Sequence, residues 1–273
     1  MIGSSGEAMS KDEYIFARID VVAFTKLSNP DLKIGVFDAI RKIVLDLNGE
    51  IRRSVVSRNN KKLKLEGARY YGDTIDIYFR AGDLDALILI LFDVVAKAQR
   101  MALREGFFIK GAIVKGDLHV TKDGSTGMAM VTASEVEGAC EYPCVTVDKG
   151  VVEIFDTAVR EQFRTESDFS DYRKKMITYD PVTEKYYLNY VEACQLNSPE
   201  YAPELSAHRI SLIATVERYV RILPNDTKKC VAHITMYEYA LKNHNNICAL
   251  YNAPEEVITF VAERKGKFGI RFE

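Results

Sequence analysis

No charge of one sign dominates this sequence. Its 37 lysines and arginines are nearly cancelled by 39 aspartates and glutamates, so it carries no basic footprint for nucleic acid or for an anionic membrane surface. Any anionic ligand has to be held by a local cluster. Long apolar runs are missing too. The most apolar stretch, ALILILFDVVA at 86–96, contains Asp93 and is about half as long as a membrane-spanning helix requires, so it reads as a buried helix. The opening MIGSSGEAMSKDE has no apolar signal core, so no export is expected and cytoplasmic residence is the default. Cysteines are few: Cys140, Cys144, Cys194, Cys230 and Cys248 are odd in number and scattered, and CEYPC has no second ligand pair at zinc spacing. They read as reduced, structural thiols. Low-complexity tracts and internal repeats are also absent. With 47% hydrophobic residues over 273 positions, the chain can bury a substantial core as one large domain or as a domain with an appendage.

What is present is a regular alternation of strand and helix signals. EYIFARIDVVAF alternates with period two, Ile15, Ala17, Ile19 and Val21 against Tyr14, Phe16, Arg18 and Asp20, which predicts a strand ending at Asp20. NPDLKIGVFDAIRKIVLDLNG predicts a helix with Asn29 as N-cap, Pro30 in the first turn and Gly49 as its stop. Two strands follow over 63–80, joined at Gly72-Asp73, with Ile75, Ile77 and Phe79 facing the core. An apolar helix over 83–105 closes at Gly106, and FFIKGAIVKGDLHV gives another strand. The order strand, helix, strand, strand, helix, strand predicts an α+β fold of the ferredoxin-like or palm type, an antiparallel-rich sheet with helices on one face and the other face open.

Beyond it the pattern predicts a helix over 127–139, the strand CVTVD and a helix over 150–164. The polar stretch TESDFSDY at 165–172, short enough to be a loop, marks the best internal boundary. It divides the chain into a first domain over 1–164 and a C-terminal extension over 165–273 packed on it, or continuous with it. The extension begins with RKKMITY and KYYLNYVEAC around DPVTE, followed by two helical segments, AHRISLIATVERYVRIL and TKKCVAHITMYEYALKNH.

In a palm-type sheet the first strand and the hairpin turn lie side by side, so Asp20 and Asp73 meet at one end. A lone aspartate on a turn is ordinary turn chemistry. Two carboxylates there, with no Cys or His near them in sequence, suit hard divalent cations that bridge phosphate oxygens, the arrangement that metal-assisted phosphoryl transfer needs. VVAFT after Asp20 turns into a helix whose N–H groups, with Thr25, could cradle phosphate. The histidines His119, His208, His233 and His244 are isolated, and Ser134 and Ser211 lack a nucleophile elbow. KKLK at 61–64 reads as a solvated loop edge.

Three motifs carry a family resemblance. IDVVAFTKLS resembles the first-strand motif of class III nucleotidyl cyclases, usually Asp-Ile-x-Gly-Phe-Thr, and YYGDTIDIYF resembles their hairpin Gly-Asp motif. GMAMVTASEVEGACEYPCVTVD at 127–148 is similar to the signature of a divergent bacterial branch, the pyrimidine cyclases of the Pycsar anti-phage systems, which make cyclic UMP or cyclic CMP. The similarity spans residues 14 to 250. It implies a uridylate or cytidylate cyclase that uses two divalent cations, Mn2+ or Mg2+, held by Asp20, Asp73 and the Val21 carbonyl. Phe24 and Thr25 would bind phosphate through their amides, and Arg69 with Tyr70 and Tyr71 would form the base pocket. The resemblance further implies a homodimer with shared active sites and a separate effector that senses the product, with no nucleic-acid or membrane partner. The sequence departs from the purine enzymes on the helix at 127–139. They carry an asparagine and, four residues later, a transition-state arginine, whereas Glu135 stands at about the arginine's place here. Lys110, Lys115 or Arg69, or a partner chain, would then supply the missing cation. Ala23 stands where the family's motif has glycine. The same losses fit a nucleotide-binding regulatory module without turnover as the alternative.

Overall fold

The computed structural model describes residues 13–27, 29–58, 65–80, 84–121, 124–138, 144–180, 184–190 and Thr215. Strand β1 (Glu13–Val21) leads through a three-residue 3-10 turn at Phe24–Lys26 into helix α1 (Pro30–Arg58). Then come β2 (Leu65–Tyr71), β3 (Thr74–Arg80), α2 (Leu84–Arg104) and β4 (Ile109–Asp117). A small ribbon, β5 (His119–Val120) and β6 (Ser125–Thr126), precedes α3 (Met128–Gly138), β7 (Val145–Val147) and α4 (Lys149–Arg160). The described chain continues with α5 (Glu166–Met176), β8 (Ile177–Asp180) and β9 (Lys185–Leu188).

One seven-stranded sheet runs β2-β3-β1-β4-β7-β9-β8, antiparallel throughout except for β4 beside β7. Its first four strands, read from the other side, stand in the order four, one, three, two. That is the split βαβ arrangement expected of an α+β ferredoxin-like fold. Isoleucines at 15, 19, 75, 77 and 113 turn to one face, where α1, α2, α4 and α5 close over them in one continuous apolar core. Rings stack through this layer, Phe92 of α2 on Phe155 of α4 at 5.2 Å and Phe155 on Tyr172 of α5 at 6.3 Å.

The sequence expectation of an uncovered second face changes at its centre. Helix α3 lies there, and Ala129 and Ala133 bury against Tyr14, Phe16, Tyr78, Ala112 and Val114 in a smaller second core. Small residues allow this close seat: a Cβ on Gly116 of β4 would stand 3.3 Å from the Ala129 backbone.

Two other expectations are corrected. Helix α1 does not stop at Gly49 but runs on to Arg58. One glycine in a helix costs only about 1 kcal/mol, and the next turn is secured by buried Ile51 and by Glu50, which pairs with Arg53 at 2.8 Å and Lys97 at 2.9 Å. Asn29 does open the helix, its side chain accepting from the Asp31 N–H at 2.8 Å. The polar stretch at 165–172 is helix rather than loop. Thr165 caps α5 by accepting from the Asp168 N–H at 3.1 Å, acidic Glu166 and Asp168 suit the first turn, and Phe169 and Met176 anchor the inner side. The chain then re-enters the same sheet through β9 beside β7. The two later helical segments lie outside the described residues, apart from Thr215, which is buried in a helix and donates to the Leu103 carbonyl at 3.2 Å.

Candidate active site at the ends of β1 and the β2–β3 hairpin

The β2–β3 hairpin closes with two residues. Gly72 sits at φ 63° and Asp73 has negative φ, the sign pattern of the tight turns whose twist suits paired strands. Asp73 is thereby set beside the end of β1: its carbonyl accepts from the Val21 N–H at 3.3 Å. Asp20 opposes Thr74 across the β1–β3 ladder and Lys110 across the β1–β4 ladder. Thr74 Oγ1 donates to Asp20 Oδ1 at 2.9 Å. Burial, then the Asp73 charge and more weakly that of Glu137, push the Asp20 carboxyl up to about 6, against the Thr74 hydrogen bond and the Lys110 charge that pull it down. The two aspartates predicted from sequence therefore do come within electrostatic reach of each other.

The close approach of β4 at this point depends on Gly111. A Cβ there would run into the Arg18 carbonyl and the Ile19 Cα, so only glycine lets Lys110 stand beside Asp20. Lys110 is not solvated alone: Glu137, from the last turn of α3, forms an ion pair with it. Lys115, another sequence candidate for the missing cation, opposes Ile15 on the helix-covered face and pairs with Glu13 at 3.0 Å, at the far end of β4. Lys115 therefore stands on the opposite face of the sheet from Asp20.

Arg69 and Tyr71 share the face of Asp20, while Tyr70 opposes Ile75 and points to the other side of the sheet. The structure therefore splits the expected trio. Arg69 donates to the Thr121 carbonyl at 2.6 Å and its guanidinium lies 5.6 Å from the Tyr78 ring centroid. Tyr71 is 41% exposed and stands two strands from Asp20, roughly 10 Å by strand spacing. Phe24 leans on the apolar core and on the Phe37 ring at 5.0 Å, whereas Thr25 is exposed. The turn after β1 is a single 3-10 turn rather than the start of a long helix, with the Leu27 N–H returning to the Phe24 carbonyl at 3.1 Å. Ala23 takes the left-handed conformation, φ 58° and ψ 26°, where the family motif's glycine would sit without strain.

One pair was missed from sequence. Arg18 grips Asp76 with two hydrogen bonds of 2.9 Å, and Asp76 is fully buried. The third contact of Arg18, to Ser134 Oγ at 3.3 Å, ties the pair to α3. The Asp76 hydrogen bond raises the guanidinium further above its ordinary range. Opposite charges two residues in from Asp20 and from Thr74 were the available signal. The alternation of β1 made them look solvent-facing.

Among the described residues no group of three or more His, Cys, Asp or Glu side chains is arranged to hold a metal ion. The pair whose chemistry fits one is the Asp20 and Asp73 carboxylates, both hard oxygen donors. Mutual repulsion between the two carboxylates is the strain that a divalent cation relieves. Glu135 is exposed on the outer side of α3, together with Met128 at 61% and Val131 at 48% exposure.

No family model matches the sequence, and no curated protein matches it. Several solved structures do. The crystal structure of the adenylyl cyclase CyaB from P. aeruginosa is similar over 55% of this chain and 81% of its own, at 10% identity and a TM-score of 0.38. Two structures of a bacterial light-regulated adenylyl cyclase are similar over 52% of this chain at 17% identity, with TM-scores of 0.31 and 0.29. The matched part spans 44% of the length of each of those two. Among the described residues no helix is long and apolar enough to cross a membrane.

Proposed function

We propose that the chain is a metal-dependent nucleotide cyclase that converts a pyrimidine nucleoside triphosphate, UTP or CTP, into the 3′,5′-cyclic monophosphate and pyrophosphate. The observation that carries the reading is the placement of Asp20 and Asp73 at one end of neighbouring strands, with Lys110 beside them. Asp20, Asp73 and the Val21 carbonyl would hold two divalent cations, which when bound lower the pKa of the attacking 3′-hydroxyl and neutralise the leaving polyphosphate. Thr74 holds one oxygen of Asp20 through its hydroxyl. Lys110 supplies positive charge for the phosphate chain, and the backbone amides of Phe24 and Thr25 line the turn beside it. Arg69 and Tyr71 edge the same face and select the base. Arginine donates to a carbonyl, which favours UTP over CTP.

The resemblance to the Pycsar cyclases extends the proposal: a cytoplasmic homodimer with sites shared between protomers, making an anti-phage signal read by a separate effector. Exposed Met128 and Val131 on α3 give a self-partner apolar surface to cover. The extension over 165–273 packs on the catalytic part, a reading supported by β8 and β9 in the sheet and Thr215 on Leu103. A nucleotide-binding module without turnover is the second reading, favoured by the exposed Glu135 and by the engagement of Lys110 with Glu137.

The test is incubation of the purified chain with Mn2+ and each of ATP, GTP, CTP and UTP, with products identified by mass. One cyclic pyrimidine monophosphate, lost in a folded Asp73→Ala variant, supports the cyclase. Tight nucleotide binding with no cyclic product from any of the four supports the module.

A further inference from the structure

The ammonium of Lys110 is occupied. Its partner Glu137 keeps only 12% of its side chain exposed, and Lys110 keeps 29%. Glu137 stands in the last turn of α3, which holds no basic residue. A carboxylate there faces the negative end of the helix dipole, an unfavourable place unless a cation compensates it. The other cations on this face of the sheet are also engaged among the described residues: Arg18 by Asp76 and Ser134, Arg69 by the Thr121 carbonyl, and Arg80 over the Tyr14 ring. Arg18 holds its carboxylate through a two-pronged grip, whereas Lys110 is a point charge on a flexible stem that exchanges partners readily. Asp20, Asp73 and Glu137 together make this end of the sheet acidic around one lysine.

We propose that Glu137 sets the affinity of this site for polyphosphate, by holding the Lys110 ammonium until the phosphate chain of a nucleotide displaces it. This rests on the nucleotide reading of the site but not on turnover. Exchange of a carboxylate for a phosphate oxygen at Lys110 frees Glu137 to solvent and loosens the last turn of α3, so that ligand binding is felt by the helix that covers the second core. Glu137 is thus a positioning residue for Lys110 and a competitor of the substrate.

The experiment measures binding of inorganic tripolyphosphate and of UTP, each with Mn2+, to the full chain and its variants, with thermal melts confirming folding. Glu137→Gln is expected to tighten tripolyphosphate by roughly 5–10-fold, Glu137→Asp to bind near the parent value, and Glu137→Gln in a Lys110→Met background to have no effect. If the chain turns over UTP, KM falls with Glu137→Gln while kcat changes less than twofold. Unchanged or weaker binding in Glu137→Gln overturns the proposal, as does equal tightening without Lys110. Ser134→Gly loosens α3 while leaving the ion pair in place, so equal tightening there assigns the effect to helix mobility and also overturns it. The Glu137 effect on tripolyphosphate without cyclic product from any triphosphate contradicts the cyclase and leaves this proposal standing. Cyclic product with no Glu137 effect does the reverse.

Discussion

The two faces of the sheet solve opposite problems. On one, helices α1, α2, α4 and α5 close over isoleucine, valine and phenylalanine. On the other, among the described residues, α3 covers a short apolar patch, and the remaining area carries Arg18, Asp20, Asp76 and Lys110, with Glu137 reaching in from the helix. The first face gains by removing apolar area from water, about 25 cal/mol per Å2. The second face gains little from its buried charges, because desolvation offsets most of the attraction. What the second face obtains is position: Arg18 fixes β1, β3 and α3 relative to one another within two residues of Asp20.

The comparison is broken most severely at the aromatic stack. Phe92→Ala removes a fully buried ring from Phe155 and is expected to cost about 3–5 kcal/mol, read as a shift of the urea midpoint with unchanged slope. Asp76→Ala on the other face is expected to cost about 3–4 kcal/mol by stranding the Arg18 guanidinium. The double replacement Arg18→Met with Asp76→Leu is expected to recover most of that stability. Equal destabilisation by the single and double variants in chemical unfolding would refute the view that this pair positions more than it stabilises.

Asp20 gives the next effect, with a definite sign. Its folded value of about 6 lies above the ordinary 3.8, so between those pH values the folded chain holds a proton that the unfolded chain has released. Without metal, stability therefore falls as pH rises from about 4 to about 6, by about 1–2 kcal/mol once solvent screening of this half-buried carboxylate is allowed for. Asp20→Asn is expected to flatten that slope and to stabilise the metal-free protein at pH 7.5 by about 1–2 kcal/mol, in melts run across the pH range. The smallest effect is at Ala23. Its left-handed backbone costs an alanine about 1 kcal/mol more than a glycine, so Ala23→Gly raises the melting temperature by a few degrees.

The helix-covered face was legible in the sequence because period-two strands and the Gly72-Asp73 turn fix which residues face inward, and a one-residue slip would have exposed every isoleucine. The same logic puts Asp20 and Asp73 at one end of the sheet. The second face was not legible for the converse reason. Alternation marks Tyr14, Phe16 and Arg18 as outward, and α3 buries its side through Ala129 and Ala133, residues too small to announce an apolar stripe. Gly49 read as a stop because local propensity is visible and the tertiary partners that override it, Glu50 with Lys97 among them, come from distant sequence. The split between Tyr70 and Tyr71 follows from strand alternation alone. Grouping them with Arg69 came from the family motif rather than from the strand's own period.

The central claim is that Asp20 and Asp73 form one cation site. Calorimetric titration of Mn2+ into the full chain at pH 7.5 tests it most directly: saturable binding in the parent, lost in both Asp20→Asn and Asp73→Asn while each variant melts as a folded protein, is the predicted result. Binding of the same affinity in either variant would contradict it.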